Sequence, residues 1–133
     1  MAVQFDFAAI LVEWQLDLPA ALALLEWPLL LRGVAFTVGL TAISAVLGLA
    51  LGVACAWART WGPRWLSAVA AVYVELIRNT PFIVQLFFIF FGLPAAGFRL
   101  SPETASIIAM VINLGAYATE IIRAGIEATP RGQ

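Results

Sequence analysis

The feature that most constrains this chain is an uninterrupted apolar run, because residues 33–58 contain no charged side chain. As an α-helix this run would be about 39 Å long, which exceeds the roughly 30 Å hydrocarbon core of a bilayer. Over the whole chain 63% of residues are hydrophobic and only 11% are charged, whereas soluble domains carry about 25% charged residues. Such a chain cannot cover its surface with polar groups in water, so we expect a membrane protein.

Two more apolar segments follow, each after a turn. Gly62 and Pro63 break the first helix, and the second segment comes directly after them. The third begins with a helix start signal, because a serine N-cap, a proline and an acid occupy residues 101–103. We therefore predict an all-α membrane protein with three transmembrane helices. Their predicted spans are residues 33–58, 66–92 and 102–124.

The chain ahead of these spans is predicted to be a separate segment, residues 1–28, followed by a transmembrane domain at residues 29–133. Within the first segment, residues 5–18 carry acids on one helical face and apolar side chains on another. That pattern is typical of a short amphipathic helix lying on a membrane surface. A terminus without fixed structure is the alternative.

The placement of arginines predicts the orientation, because cytoplasmic loops of membrane proteins carry an excess of positive charge. The loop between the first two spans holds Arg59 and Arg64 and no acid, whereas the first 32 residues hold four acids and one arginine. We therefore expect the N-terminus outside, the first loop inside, the second loop outside and the C-terminus inside.

Small residues recur every fourth position along the first span, and these positions share one helix face. Small side chains on such a face allow a second helix to approach closely. A general abundance of Gly and Ala in membrane helices is the alternative explanation. The predicted packing face consists of Ser44, Gly48, Gly52 and Ala56.

Polar residues and a proline interrupt the second segment. Pro81 removes one backbone donor and clashes with the carbonyl of Ile77, so we expect a kinked or split helix here. The freed carbonyl needs a partner, which Asn79 or Thr80 could supply. A charged Arg78 in the hydrocarbon would cost at least about 2.5–3.5 kcal/mol. We therefore expect Arg78 either at the membrane edge or facing a polar seam.

Other polar side chains leave more than one interpretation open. Glu75 and Arg78 are three residues apart and could form a purely local ion pair. Asn113 shares a helix face with Tyr117 and is either a contact between helices or part of a polar pathway. Near the end of the third span, i,i+3 and i,i+4 spacing predicts ion pairing along one face. The residues concerned are Glu120, Arg123 and Glu127.

The residue types exclude several functional classes. The chain has no histidine, and its acids lie mostly near the termini or beside an arginine, so we predict neither acid–base catalysis nor a metal site. The single cysteine, Cys55, rules out an internal disulfide. There is no P-loop pattern and no basic patch for nucleic acid. We expect no enzyme activity and no cofactor.

Three stretches resemble one known family. "LLLRGVAFTVGLTAISAVLGLALG", "YVELIRNTPFIVQLFFIFFGLP" and "GAYATEIIRAGIEATPRGQ" are similar to the permease subunits of ATP-binding-cassette importers for polar amino acids. These are the histidine, glutamine, glutamate, arginine and opine branch of binding-protein-dependent transport inner-membrane components. The resemblance covers residues 29–133. Its two characteristic patterns are Arg-x-Thr-Pro at residues 78–81 and Glu-Ile-x-Arg-x-Gly at residues 120–125, and they are specific for the family only in combination.

The resemblance implies a multi-pass protein of the bacterial inner membrane. Its expected partners are a second permease subunit, identical or homologous, two ATP-binding subunits that hydrolyse ATP, and a periplasmic amino-acid-binding protein. In the family, the positions of Arg131, Gly132 and Gln133 lead into a cytoplasmic coupling helix. Since the chain ends there, we expect it to represent the first three helices of the fold, which would neither couple to ATP nor transport alone.

Polar groups in otherwise apolar spans usually face protein or water, so they are the candidates for a substrate pathway. A small three-helix structural or channel-like protein without an ATPase partner is the main alternative, and a proton-coupled transporter is a third. The candidate pathway residues are Arg78, Asn79, Thr80, Gln85, Asn113, Tyr117 and Glu120.

Overall fold

The computed structural model describes residues 27–132 together with Ala9 and Val12. All elements in this part of the chain are helical, and it contains no strand. The predicted amphipathic helix at residues 5–18 lies outside the described residues apart from Ala9 and Val12, and Gln133 lies outside them as well.

The first helix, α1, covers Trp27–Trp61 and therefore extends beyond the predicted span at both ends. The chain divides into two compact units at Val38 and Gly39. In the first unit, the Thr37 hydroxyl donates to the Gly33 carbonyl of the same helix at 2.9 Å.

The end of α1 is a tight turn at Gly62. The Gly62 N–H donates to the Ala58 carbonyl at 3.0 Å, and a Cβ at this position would collide with that same carbonyl oxygen. Pro63 follows in an extended conformation and cannot continue the helix. The next helix, α2, then begins and covers Arg64–Arg78.

The segment after α2 is a chain of short helical pieces. Helix α3 covers Phe82–Phe87, a π-helical turn covers Phe88–Gly92, and α4 covers Leu93–Ala95. At the break, α2 and the pieces from Phe82 to Ala95 are bent by 107° relative to each other.

The last helix, α5, covers Pro102–Ala128. Its start is the predicted one, because the Ser101 hydroxyl accepts the Thr104 N–H at 3.2 Å and Glu103 lies in the first turn. Helix α5 ends ahead of Pro130, where the backbone of Thr129 is extended.

Close packing joins α1 to α5. A Cβ at Gly48 would lie 2.9 Å from the Cβ of Leu114, and one at Gly52 would lie 2.5 Å from the Cβ of Ala118. The Ser44 side chain, only 1% exposed, approaches the Met110 sulfur at 3.8 Å. The residues of the predicted packing face are all buried: Ser44, Gly48, Gly52 and Ala56.

The helices differ in whether they could cross a membrane. Helices α1 and α5 are each long and apolar enough to cross a membrane. Helix α2 is long enough only when it is combined with residues 82–95, to which it is joined at a bend. The described residues therefore contain two candidate spans, or three if the bent pair is one span. Large apolar side chains are exposed along all of these helices, as on Leu49, Val72 and Ile121, which suits a lipid environment.

Candidate functional site

The break between α2 and α3 leaves backbone carbonyls without their usual helical donors. Pro81 has no N–H, so the Ile77 carbonyl loses the donor that an unbroken helix would supply. The Thr80 N–H reaches the Ile77 carbonyl at 3.3 Å, and the Thr80 hydroxyl donates to the Leu76 carbonyl at 2.8 Å. Thr80 thus provides part of the replacement that the sequence predicts.

The Gln85 side chain supplies the remaining hydrogen bonds to the carbonyls at the break. Its side chain is 6% exposed, and its Nε2 donates to the carbonyls of Ile77 and Thr80, both at 2.8 Å. An amide nitrogen has two protons, so one side chain satisfies two carbonyls at the break. Gln85 lies one helical turn after Pro81, and only the 107° bend turns its side chain back onto the end of α2.

Asn113 links this arrangement to α5. Its Nδ2 donates to the Gln85 Oε1 at 3.2 Å, which leaves the Gln85 nitrogen free to donate to the broken helix. A second link lies one helical turn earlier in the chain than Ile77, where the Tyr73 hydroxyl donates to the Ile112 carbonyl at 2.5 Å. Both sides of the break are therefore hydrogen-bonded to one stretch of α5, through Tyr73 on one side and through Gln85 and Asn113 on the other.

A second group of polar residues faces outward from the end of α2. The Arg78 guanidinium lies over the Tyr117 ring, 5.8 Å from its centroid, which is within the range of a cation–π contact. Glu75, Arg78 and Asn79 are exposed, and Tyr117 is 43% exposed. Within the described residues Glu75 and Arg78 do not form the local ion pair that their spacing allowed.

Glu120 belongs to a third, ionic group, about one helical turn beyond Tyr117 on α5. Its carboxylate accepts from Arg123 at 2.5 Å and from Arg59 at 2.7 Å, and Arg123 also binds Glu127 at 2.5 Å. The pairing of Glu120, Arg123 and Glu127 along α5 is confirmed. The contact with Arg59 at the end of α1 was not predicted, because spacing along one helix says nothing about side chains on another.

The predicted pathway residues therefore fall into three separate sets. The structure connects Thr80, Gln85 and Asn113 through the break, places Arg78 beside Tyr117 with Asn79 next to it, and puts Glu120 among arginines. Arg131 and Gly132 are exposed beyond the end of α5. Sequence reasoning missed Tyr73, although a tyrosine in an apolar segment signals a hydroxyl that needs a partner.

The described residues contain no group of three or more histidine, cysteine, aspartate or glutamate side chains that could hold a metal ion. Cys55 is a free thiol of intermediate burial. The arrangement is suited to holding a fixed bend in an apolar helix and to presenting a few polar side chains beside it.

Comparison with known proteins finds relatives among transport system permeases. A family model described as "Binding-protein-dependent transport system inner membrane component" matches residues 48–133. The chain is 46% identical over 107 residues to the L-cystine transport system permease protein TcyB of Bacillus subtilis, covering 80% of this chain and 46% of that protein. It is 37% identical over 132 residues to the glutamine transport system permease protein GlnP of Escherichia coli, covering 98% of this chain and 54% of that protein.

A solved structure is also similar. The crystal structure of an amino acid ABC transporter with histidines matches with a TM-score of 0.74 at 33% identity, covering 99% of this chain and 55% of that one. The chain thus spans about half the length of the relatives it matches.

Proposed function

This chain belongs to the family of binding-protein-dependent transport system inner membrane components, and from that premise we propose that it forms part of the permease of an ATP-driven importer for polar amino acids. The observation that carries the proposal is the match to an amino acid transporter over 99% of this chain at a TM-score of 0.74. The two relatives described above are named as transport permeases for cystine and for glutamine. These names support a polar amino acid as the substrate class.

In the proposed arrangement the chain crosses a bacterial inner membrane three times. Helices α1 and α5 are two crossings, and α2 with residues 82–95 is the bent second one. Helix α2 alone has 15 residues and would be about 22 Å long, which is shorter than the hydrocarbon core. The positions of Arg59 and Arg64 support a first loop inside and an N-terminus outside. Residues 1–28 would then form the outer segment and residues 29–133 the membrane domain.

The proposed substrate pathway lies beside the outward-facing residues at the end of α2. Arg78, Asn79 and Tyr117 are polar and exposed on otherwise apolar helices, where such groups usually face water or protein. Thr80, Gln85 and Asn113 would shape the pathway by holding the bend, because the Gln85 amide already has three partners. Glu120 would fix α5 against α1 at the inner end through Arg59.

The proposed partners follow from the family. A second permease subunit would complete the pathway, two ATP-binding subunits would hydrolyse ATP, and a periplasmic binding protein would deliver the amino acid. Arg131, Gly132 and Gln133 would lead into the loop that contacts the ATPase. Family membership disfavours the alternative of a channel-like protein, which would need none of these partners.

The test is amino acid uptake by the full assembly in cells lacking their own importers. We expect uptake of a polar amino acid that disappears when the partner ATPase is inactivated by substitution of its P-loop lysine. Uptake that persists without ATP hydrolysis would contradict the importer and favour a channel.

The pathway has its own test in the same assay. We expect Arg78→Gln to lower uptake at equal expression, because it removes the charge beside Tyr117. The matched control is Arg99→Gln, which removes an exposed arginine from the loop before α5. An equal effect of the two substitutions would argue against a pathway at Arg78.

A further inference from the structure

A cleft lies between the turn that joins α1 to α2 and the last turns of α5. Its volume is about 800 Å³. Four of the seven arginines of the chain line it, and among the described residues that line it Glu127 is the one acid. The arginines are Arg59, Arg64, Arg123 and Arg131.

The charges in this cleft do not balance. Arg59 and Arg123 are neutralised by Glu120 and Glu127 through the ion pairs described above. Arg64 and Arg131 are exposed and have no acidic partner within the described residues. The cleft therefore keeps about two uncompensated positive charges, which is the electrostatic condition for holding a phosphate.

Tryptophans indicate the depth of the cleft in the membrane. Trp57, Trp61 and Trp65 are 53%, 63% and 68% exposed, and they lie around the turn that forms one wall. Tryptophan side chains concentrate at the headgroup level of membranes, because one part of the ring is apolar and its N–H needs a polar partner. These exposed tryptophans support a position of the cleft arginines near the height of lipid phosphates.

We propose that this cleft binds the phosphate headgroup of an anionic phospholipid. The guanidinium groups of Arg64 and Arg131 would contact the phosphate, with Arg59 and Arg123 held in place by their acids. The apolar side chains of Ala71 and Ile126 also line the cleft, so the acyl end of a lipid has a surface to pack against. A soluble anion would gain nothing from those side chains. Basic pockets between membrane helices bind anionic lipid headgroups on the same physical grounds.

The proposal depends on these helix ends lying at the membrane surface, and it does not depend on the chain taking part in transport. It can therefore be tested in the full chain purified in neutral detergent, by native mass spectrometry with added phosphatidylglycerol or phosphatidylcholine. We expect phosphatidylglycerol to bind and to weaken with added salt, and phosphatidylcholine not to bind. Arg64→Gln should weaken phosphatidylglycerol binding about fivefold, and Arg64→Gln with Arg131→Gln about thirtyfold, at about 1 kcal/mol for each arginine.

Arg99→Gln is the matched control, because it removes the same charge from an exposed arginine that does not line the cleft. Binding that falls equally in the control would overturn the proposal, as would binding that persists in the double variant. Displacement of the lipid by inorganic phosphate at equal concentration would assign the cleft to a soluble anion. No binding of phosphatidylglycerol by the unchanged protein would also overturn the proposal.

Discussion

At the scale of single residues, the side chain that matters most at the break is Gln85. A glutamine amide offers two protons and an acceptor, and here the protons go to Ile77 and Thr80 while the oxygen accepts from Asn113. A glutamate of the same length has no donor when ionised and one when protonated, so it could not donate to both carbonyls. The position therefore requires an amide rather than polarity in general.

The first prediction concerns the loss of this amide. Gln85→Leu should destabilise the protein by about 1–3 kcal/mol, because it leaves two carbonyls at the break without that donor in a water-poor site. The measurement is unfolding in mixed detergent micelles, followed by circular dichroism. Thr129→Val is the matched control: it also deletes a donor to a carbonyl, that of Gly125 at 3.0 Å, but at an exposed site where water replaces it. Equal losses in the two variants would show that Gln85 has no special role.

At the scale of helices, the contact between α1 and α5 depends on the absence of side chains. Gly52 lies where a Cβ would be 2.5 Å from the Cβ of Ala118, whereas a Cβ at Gly125 would meet nothing within 4 Å. The Thr119 hydroxyl also approaches the Gly52 carbonyl at 3.4 Å. The two glycines therefore have opposite roles, although both lie inside helices.

The second prediction uses this contrast. Gly52→Ala should destabilise the protein by about 1–3 kcal/mol, because the added methyl group forces the helices apart. Gly125→Ala should stabilise it by up to about 1 kcal/mol, because alanine favours the helix and has room there. Thermal unfolding of both variants in detergent tests the pair. A stabilising effect of Gly52→Ala would mean that the two helices do not pack at this glycine.

The sequence could predict the helical elements but only part of how they meet. Apolar runs locate the long helices, and the start of α5 was readable from Ser101 because a cap depends on neighbouring residues alone. The partners of Arg59 and Gln85 were not readable, since they depend on a contact between helices and on the 107° bend. The π-helical turn at Phe88–Gly92 likewise has no local signal in its phenylalanine-rich sequence.

At the scale of the whole molecule, the path of the bent pair decides on which side of the membrane each loop lies. If the bent pair is one span, the loop before α2 and the loop before α5 lie on opposite sides. If the pair enters and leaves on one face, both loops lie on the same side. Arg64 and Arg99 are exposed residues near these two loops, so they report the difference directly.

The third prediction follows from the proposed arrangement. In a Cys55→Ala background, Arg99→Cys should react in intact cells with a membrane-impermeant maleimide, and Arg64→Cys should react only after the cells are opened. The reagent cannot cross the bilayer, so labelling reports the side. Labelling of both positions in intact cells, or of neither, would show that the bent pair is re-entrant and that the chain crosses twice.

The hydrogen bonds from Gln85 to the break also bear on how such a helix could have arisen. With a non-proline residue at position 81, the Ile77 carbonyl would have its own backbone donor and the Gln85 amide would lack that acceptor. With Pro81 but without the amide, the Ile77 carbonyl would keep only the 3.3 Å contact from the Thr80 N–H and the Thr80 carbonyl would lose the amide proton, at a cost of about 1–3 kcal/mol. Either order of change passes through a weaker ancestor, so proline and glutamine at these positions should be gained or lost as a pair during divergence.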